Sequence, residues 1–213
     1  MTRNLIWDVD GTLFDTYPAI TEAFVAALAD LGGHADPAHV EKLARISLSH
    51  CATVLADEAS VDQEKLSDRF IQHYATRPLA QQSPFPGVLA VCRHILTNGG
   101  THVIVTHRGW ESTQRLLRAH RMTRYFADVV TRDDGCARKP DPFAFSMLMD
   151  KHRFDPEETL AIGDRDIDIL AGRAAGIRTC LFSETGEANV IPDLLIRDFA
   201  ELHAWLLAQE KTL

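Results

Sequence analysis

Two acidic residues, Asp8 and Asp10, sit at i and i+2 in the string WDVDGTLFDT, directly after the apolar run Leu5-Ile6-Trp7. Side chains on a strand alternate faces, so an extended chain would put both carboxylates on one face. Gly11 permits a turn there, which predicts that both acids lie at the carboxyl edge of a strand. Open α/β sheets bind ligands at that edge. Two carboxylates so close repel, and one of them tends to hold a proton. A bound divalent cation would relieve that repulsion. One carboxylate could then serve as nucleophile and the other as acid or base. The alternative is an Asp-rich strand exit that only caps a turn.

Three further groups have chemical potential. Thr106 ends the apolar run HVIVT and is followed by His107, Arg108 and Gly109. A hydroxyl and free backbone amides at a strand exit suit a phosphate oxygen, although Thr is also a good strand residue. Lys139 lies in ARKPDP, where an ammonium could offset carboxylate and phosphate charge, and a solvated surface lysine is the simpler reading. Residues 160–168, LAIGDRDID, repeat the opening pattern of apolar strand, glycine turn and acids. Asp164, Asp166 and Asp168 are hard oxygen donors of the kind that hold magnesium. Acids in the first turn of a following helix also complement its dipole, which accounts for Asp166 and competes as an account of Asp168.

The elements that must position these groups can be read from periodicity. Residues 4–9 read as a buried strand. Residues 17–77 change period and read as roughly four helical segments, with Pro37 opening one and Asp62 capping another. The stretch 78–87, PLAQQSPFPG, reads as a linker. Beyond it, helices at 87–97, 110–120, 141–152, 166–175 and 199–209 alternate with strands at 102–106, 126–130, 159–162 and 177–182. Such alternation predicts right-handed crossovers and a mostly parallel sheet. The first strand is separated from the rest by about seventy helical residues, which predicts an inserted helical domain. The expected division is a core of residues 1–15 and 86–213 and a cap of residues 16–85. A lid leaving just after the double-Asp turn would exclude water and select substrate.

Together these features resemble the four motifs of the haloacid dehalogenase superfamily of hydrolases, spread from Asp8 to Asp168. The resemblance covers nearly the whole chain. It implies a Rossmann-like α/β core with a parallel sheet and a small α-helical cap inserted after the first strand. It implies that Asp8 is the nucleophile and forms an aspartyl-phosphate, and that Asp10 protonates the leaving oxygen and later deprotonates water. Magnesium would be held by Asp8, the backbone carbonyl of Asp10, and Asp164, with Asp168 in support. Thr106 and nearby amides would bind phosphate, Lys139 would orient Asp8 and the phosphate, and His107 is a further candidate contact to substrate. Asp10 is expected to keep its proton while Asp164, Lys139 and the metal neutralise Asp8. Arg165 stands where many members have Ser or Thr.

The resemblance implies a magnesium-dependent phosphatase of a small phosphorylated metabolite, nearest a phosphoglycolate-phosphatase-like subgroup. The alternatives are a phosphomutase resembling β-phosphoglucomutase and a non-catalytic metal-binding module. Composition limits the partners. The chain of 213 residues has 22 basic and 30 acidic residues, a net charge of −8, so a nucleic-acid-binding surface is not expected. Cys51, Cys92, Cys136 and Cys180 form no CxxC pair, so reduced thiols are expected. No membrane-spanning run or signal peptide is expected either, which points to a cytoplasmic protein. Oligomeric state cannot be read from these features. Substrate choice should fall to the insert, where Lys42, Arg45, His50 and Arg77 are its candidate polar contacts.

Overall fold

A computed structural model of the protein describes residues 1–210. The chain divides into two compact units, one made of Met1–Phe14 with the chain from Pro84 onward, the other of Asp15–Ser83.

The second unit is built from α1 (Tyr17–Asp30), α2 (Pro37–Ile46), α3 (Leu48–Ala59) and α4 (Gln63–Ala75). Its amphipathic faces bury one cluster that includes Ile20, Phe24, Leu28, Val40, Leu55, Leu66 and Phe70. Phe24 stacks on Phe70 with centroids 3.9 Å apart. The carboxylate of Asp36 caps α2, the hydroxyl of Ser47 caps α3, and Asp62 caps α4 by accepting from the Lys65 amide. Two of the four basic residues expected to meet substrate have acidic partners within this unit. Arg45 pairs with Glu41 one turn away and lies over the Tyr17 ring, and Arg77 pairs with Glu22. No helix among the described residues is long and apolar enough to cross a membrane. The four cysteines are free.

The first unit is a six-stranded parallel sheet. Its strands are β1 (Asn4–Trp7), β2 (Thr101–Val105), β3 (Asp128–Val130), β4 (Thr159–Gly163), β5 (Arg178–Phe182) and β6 (Leu194–Ile196), in the order β3-β2-β1-β4-β5-β6. The helices α5 (Val88–Thr97), α6 (Trp110–Ala119), α7 (Phe143–His152), α8 (Asp166–Ala174) and α9 (Phe199–Glu210) belong to this unit. β1 ends two residues earlier than its apolar pattern predicts. The amides of Thr12 and Phe14 both turn back onto the Val9 carbonyl, and Gly11 takes φ 73°. β6 is short and was not anticipated.

Alternation along β1 assigns its two faces. Ile6 packs with Val103, Val105, Ala161 and the α7 residues Phe145, Leu148 and Met149. Trp7 points to the opposite face, where its ring lies 5.8 Å from Phe199 of α9. On that face Trp7 Nε1 donates to His102 Nδ1 at 3.0 Å, and His102 Nε2 lies 3.0 Å from the Cys92 carbonyl. An indole N–H can only donate, so Nδ1 must accept and Nε2 must carry the hydrogen. Burial lowers the His102 pKa to about 4, only partly countered by the bond to Cys92, so the ring is neutral.

Because every strand pair is parallel, the ends of β1, β2 and β4 lie at one edge. The chain moves outward from β1 to β2 and β3, then resumes on the other side at β4. Ligand sites of open α/β sheets form at such a reversal.

Candidate active site

Asp8 directly follows β1 and is 3% exposed. Its amide donates to the Ile162 carbonyl at 2.9 Å, which ties this position to β4. Lys139 reaches it from the loop before α7. The Lys139 ammonium is also buried, and it donates to Asp8 Oδ1 at 2.6 Å, Asp168 Oδ1 at 2.5 Å and the Val105 carbonyl at 3.0 Å. All three ammonium hydrogens can thus be used. Desolvation opposes its charge, but Asp168 and Asp8 outweigh it and raise the Lys139 pKa. The surface-lysine reading is therefore excluded.

Asp164 follows β4, and its Oδ1 accepts from the Thr12 hydroxyl at 3.3 Å. Oxygens of Asp8, Asp164 and Asp168 all lie within 4.8 Å of one another. The Arg165 charge also acts here, lowering the pKa of Asp8 and of Lys139. Burial pushes the Asp8 pKa up to about 6 despite Lys139, and the Asp168 charge adds to the rise. Asp8 Oδ2 is buried with no hydrogen-bond partner. A buried acceptor left unmade is costly. The orphaned oxygen and the three clustered hard donors fit a divalent cation.

Asp168 also caps α8, because its Oδ2 accepts from the Arg165 amide at 3.1 Å. Its two oxygens therefore hold Lys139 and the loop, so the helix-start reading and membership of the carboxylate cluster both hold for this residue. Gly163 makes this possible. A Cβ on Gly163 would fall 2.2 Å from the Cβ of Asp168.

Thr106 directly follows β2. Its amide donates to the Val130 carbonyl, and its hydroxyl oxygen accepts from the Arg108 amide at 3.1 Å. The hydroxyl hydrogen is not used in that contact. His107 turns toward Lys139, whose backbone amide donates to His107 Nε2 at 2.9 Å. Nε2 is therefore unprotonated and Nδ1 carries the hydrogen. Burial, followed by the charge of Lys139, lowers the His107 pKa to about 4. His107 thus braces the loop that delivers the lysine.

Asp10 stands apart from the three clustered carboxylates. Arg108 Nε lies 3.1 Å from both its oxygens, and Nη2 lies 2.5 Å from Oδ1. Arginine donates only, so both Asp10 oxygens are acceptors here. In the sequence Arg108 is marked only as a basic residue two positions after Thr106.

Residues 5–182 match the model of the haloacid dehalogenase-like hydrolases. The chain belongs to that family. A phosphoglycolate phosphatase from Rhodospirillum rubrum is 30% identical over 221 residues, covering 97% of this chain and 91% of that protein. A hydrolase from Streptococcus pneumoniae has a solved structure 31% identical in sequence, with a TM-score of 0.68 over 96% of this chain and 98% of that one. A predicted phosphoglycolate phosphatase from Haemophilus somnus shares the fold at TM-score 0.83 and 21% identity, covering 96% and 98% of the two chains. The family is that of the resemblance, and its members include phosphoric monoester hydrolases. The chain is an enzyme of that hydrolase class.

Proposed function

We propose that the protein is a magnesium-dependent phosphatase that hydrolyses a small phosphorylated metabolite, phosphoglycolate first among the candidates, through an aspartyl-phosphate on Asp8. The observation that carries this reading is the state of Asp8. One oxygen is fixed by Lys139 and the other is buried without a partner. A carboxylate fixed by a buried ammonium is an aimed nucleophile. The phosphoglycolate assignment draws on the relatives' names.

In the first step an Asp8 oxygen bonds to phosphorus and the ester P–O bond breaks. Asp10 gives a proton to the departing oxygen. In the second step Asp10 takes a proton from water as the water oxygen bonds to phosphorus. The acyl-phosphate P–O bond breaks, which returns the Asp8 carboxylate and frees phosphate. Thr106 and the amides of its loop bind phosphoryl oxygens, and Lys139 neutralises charge on Asp8 and on the transferring group. Phosphoryl transfer asks mainly for such positioning and neutralisation. Asp8, Asp164 and the backbone carbonyl of Asp10 would hold magnesium, with Asp168 beside them. When bound, the ion supplies positive charge to the phosphoryl oxygens.

The test is a panel of phosphomonoesters assayed for free phosphate with magnesium and with EDTA. The expected result is magnesium-dependent phosphate release with one or a few small esters favoured. An aldose 1-phosphate converted to an isomeric phosphosugar without phosphate release would overturn the hydrolase reading in favour of a mutase. No turnover of any ester under either condition would overturn both.

A further inference from the structure

We propose that Arg108 is the positioning residue for Asp10, and that one short loop thereby aims both the phosphate-binding hydroxyl and the acid/base carboxyl. The proposal rests on the reading of Asp10 as the group that protonates the leaving oxygen. Asp10 lies in the turn past β1, where Gly11 at φ 73° redirects the chain, and its side chain is 23% exposed. An isolated β-bridge to Phe14 fixes the Asp10 backbone, and the orientation of the carboxyl group is set by what its side chain touches. Arg108 contacts both carboxylate oxygens. The guanidinium is planar and its donors form a rigid fork, so contacts of this kind fix the plane of the carboxyl group as well as its position.

The fork is itself immobilised. Nη1 of Arg108 donates to the Ser112 hydroxyl at 2.5 Å, in the first turn of α6. The Arg108 amide donates to Thr106 Oγ1, and the Arg108 carbonyl accepts from the Arg132 amide at 3.3 Å. The side chain is only 7% exposed. Arg108 therefore holds Thr106 through its backbone and Asp10 through its side chain, over a sequence separation of 98 residues. A shift of this loop moves both groups together. The chemical consequence depends on the leaving group. An alkoxide must be protonated as it departs, whereas a nitrophenolate departs well without a proton.

The experiment compares KM and the single-turnover rate of phosphoenzyme formation, the step that precedes the water step in which Asp10 acts as base, for the wild type, Arg108→Ala, Arg108→Lys and Asp10→Asn on phosphoglycolate and on p-nitrophenyl phosphate, all with saturating magnesium. General acid catalysis contributes ~10²–10⁴-fold. Arg108→Ala should therefore lose about 10²-fold or more in that rate on the alkyl ester and less than about 10-fold on the aryl ester. KM should move less than about threefold on either, since the lost interaction is not one of ground-state binding. Arg108→Lys keeps the charge but loses the fork, so it should fall between, with the same ordering of the two esters. Activity on p-nitrophenyl phosphate reports that each variant is folded. Equal losses on the two esters, or a loss carried by KM, would overturn the proposal, because Arg108 would then act on the phosphoryl group. If Arg108→Ala does not fold, an unchanged ester ratio in Arg108→Lys overturns it alone. Asp10→Asn separates the two layers. Without an ester split in that variant the acid role of Asp10 fails, and the proposal falls with it. A split in Asp10→Asn but not in the Arg108 variants refutes only the role of Arg108.

Discussion

Replacing Asp8 by Asn should stop turnover and also change how stability depends on pH. In the metal-free protein, burial raises the Asp8 pKa from 3.8 to about 6. A group whose folded pKa is raised stabilises the fold fully below its unfolded value, and that contribution is lost as pH rises through the folded value. The window is therefore from about pH 4 to above pH 6. The shift of roughly two pH units corresponds to about 3 kcal/mol at 1.36 kcal/mol per unit. Asparagine does not titrate in this range, and its carbonyl oxygen can still accept from Lys139. Lys139 also keeps Asp168 as its counter-charge. The new amide leaves an N–H group where Oδ2 had no partner, which sets a constant offset of about 1–3 kcal/mol if nothing accepts from it. That offset is independent of pH, so the slope is the informative quantity. Urea unfolding in EDTA, from pH 4 to pH 8, should show the variant gaining about 3 kcal/mol relative to wild type across the window. Magnesium should then stabilise the wild type more than the variant, since it binds the folded state through Asp8. A stability difference that stays flat with pH, or that grows in the opposite direction, would refute the picture of a carboxylate whose pKa is raised by burial.

Two other perturbations test the supports of the site. His102 has a folded pKa of about 4 against 6.5 when unfolded. A lowered His pKa gives stability that is present above 6.5 and lost as pH falls toward 4, by at most about 3 kcal/mol. His102→Gln, which keeps a donor and an acceptor without titrating, should flatten that acid-side loss in the same urea series, and an unchanged profile would rule out His102 as its source. Gly163→Ala would place a methyl group against Asp168. Overpacking of this kind costs about 1–3 kcal/mol, and displacement of Asp168 should lower kcat more than tenfold, roughly, through the loss of Lys139 alignment. Wild-type kinetics in that variant would show that Asp168 is not held by this close approach.

Much of the site was legible because its residues sit where local pattern changes. Asp8, Thr106 and Asp164 each follow a short apolar run, and periodicity places those runs as strands without knowledge of their partners. The parallel order of β1, β2 and β4 then brings their ends together. Lys139 was weaker, since an ammonium in a proline-rich loop carries no sign of burial until its partners are placed. The pairing of Arg108 with Asp10 could not be read, because it depends on how two loops 98 residues apart meet. His102 reads as part of a strand, and only the pairing of β1 with β2 and the packing of α5 put Trp7 and Cys92 against its two nitrogens. Asp168 was caught between two readings because a helix cap and a member of an acidic cluster demand the same residue at the same place. β6 escaped notice because three residues are too few to establish a period.

The most direct test of the mechanism is to trap the phosphoenzyme. Protein turning over phosphoglycolate with magnesium would be quenched in acid, reduced with borohydride and digested for mass spectrometry. An aspartyl-phosphate is an acyl phosphate, and borohydride converts it to homoserine. The account predicts homoserine at position 8, dependent on substrate and magnesium. Phosphate or reduction at another residue, or turnover with Asp8 unmodified throughout, would contradict it.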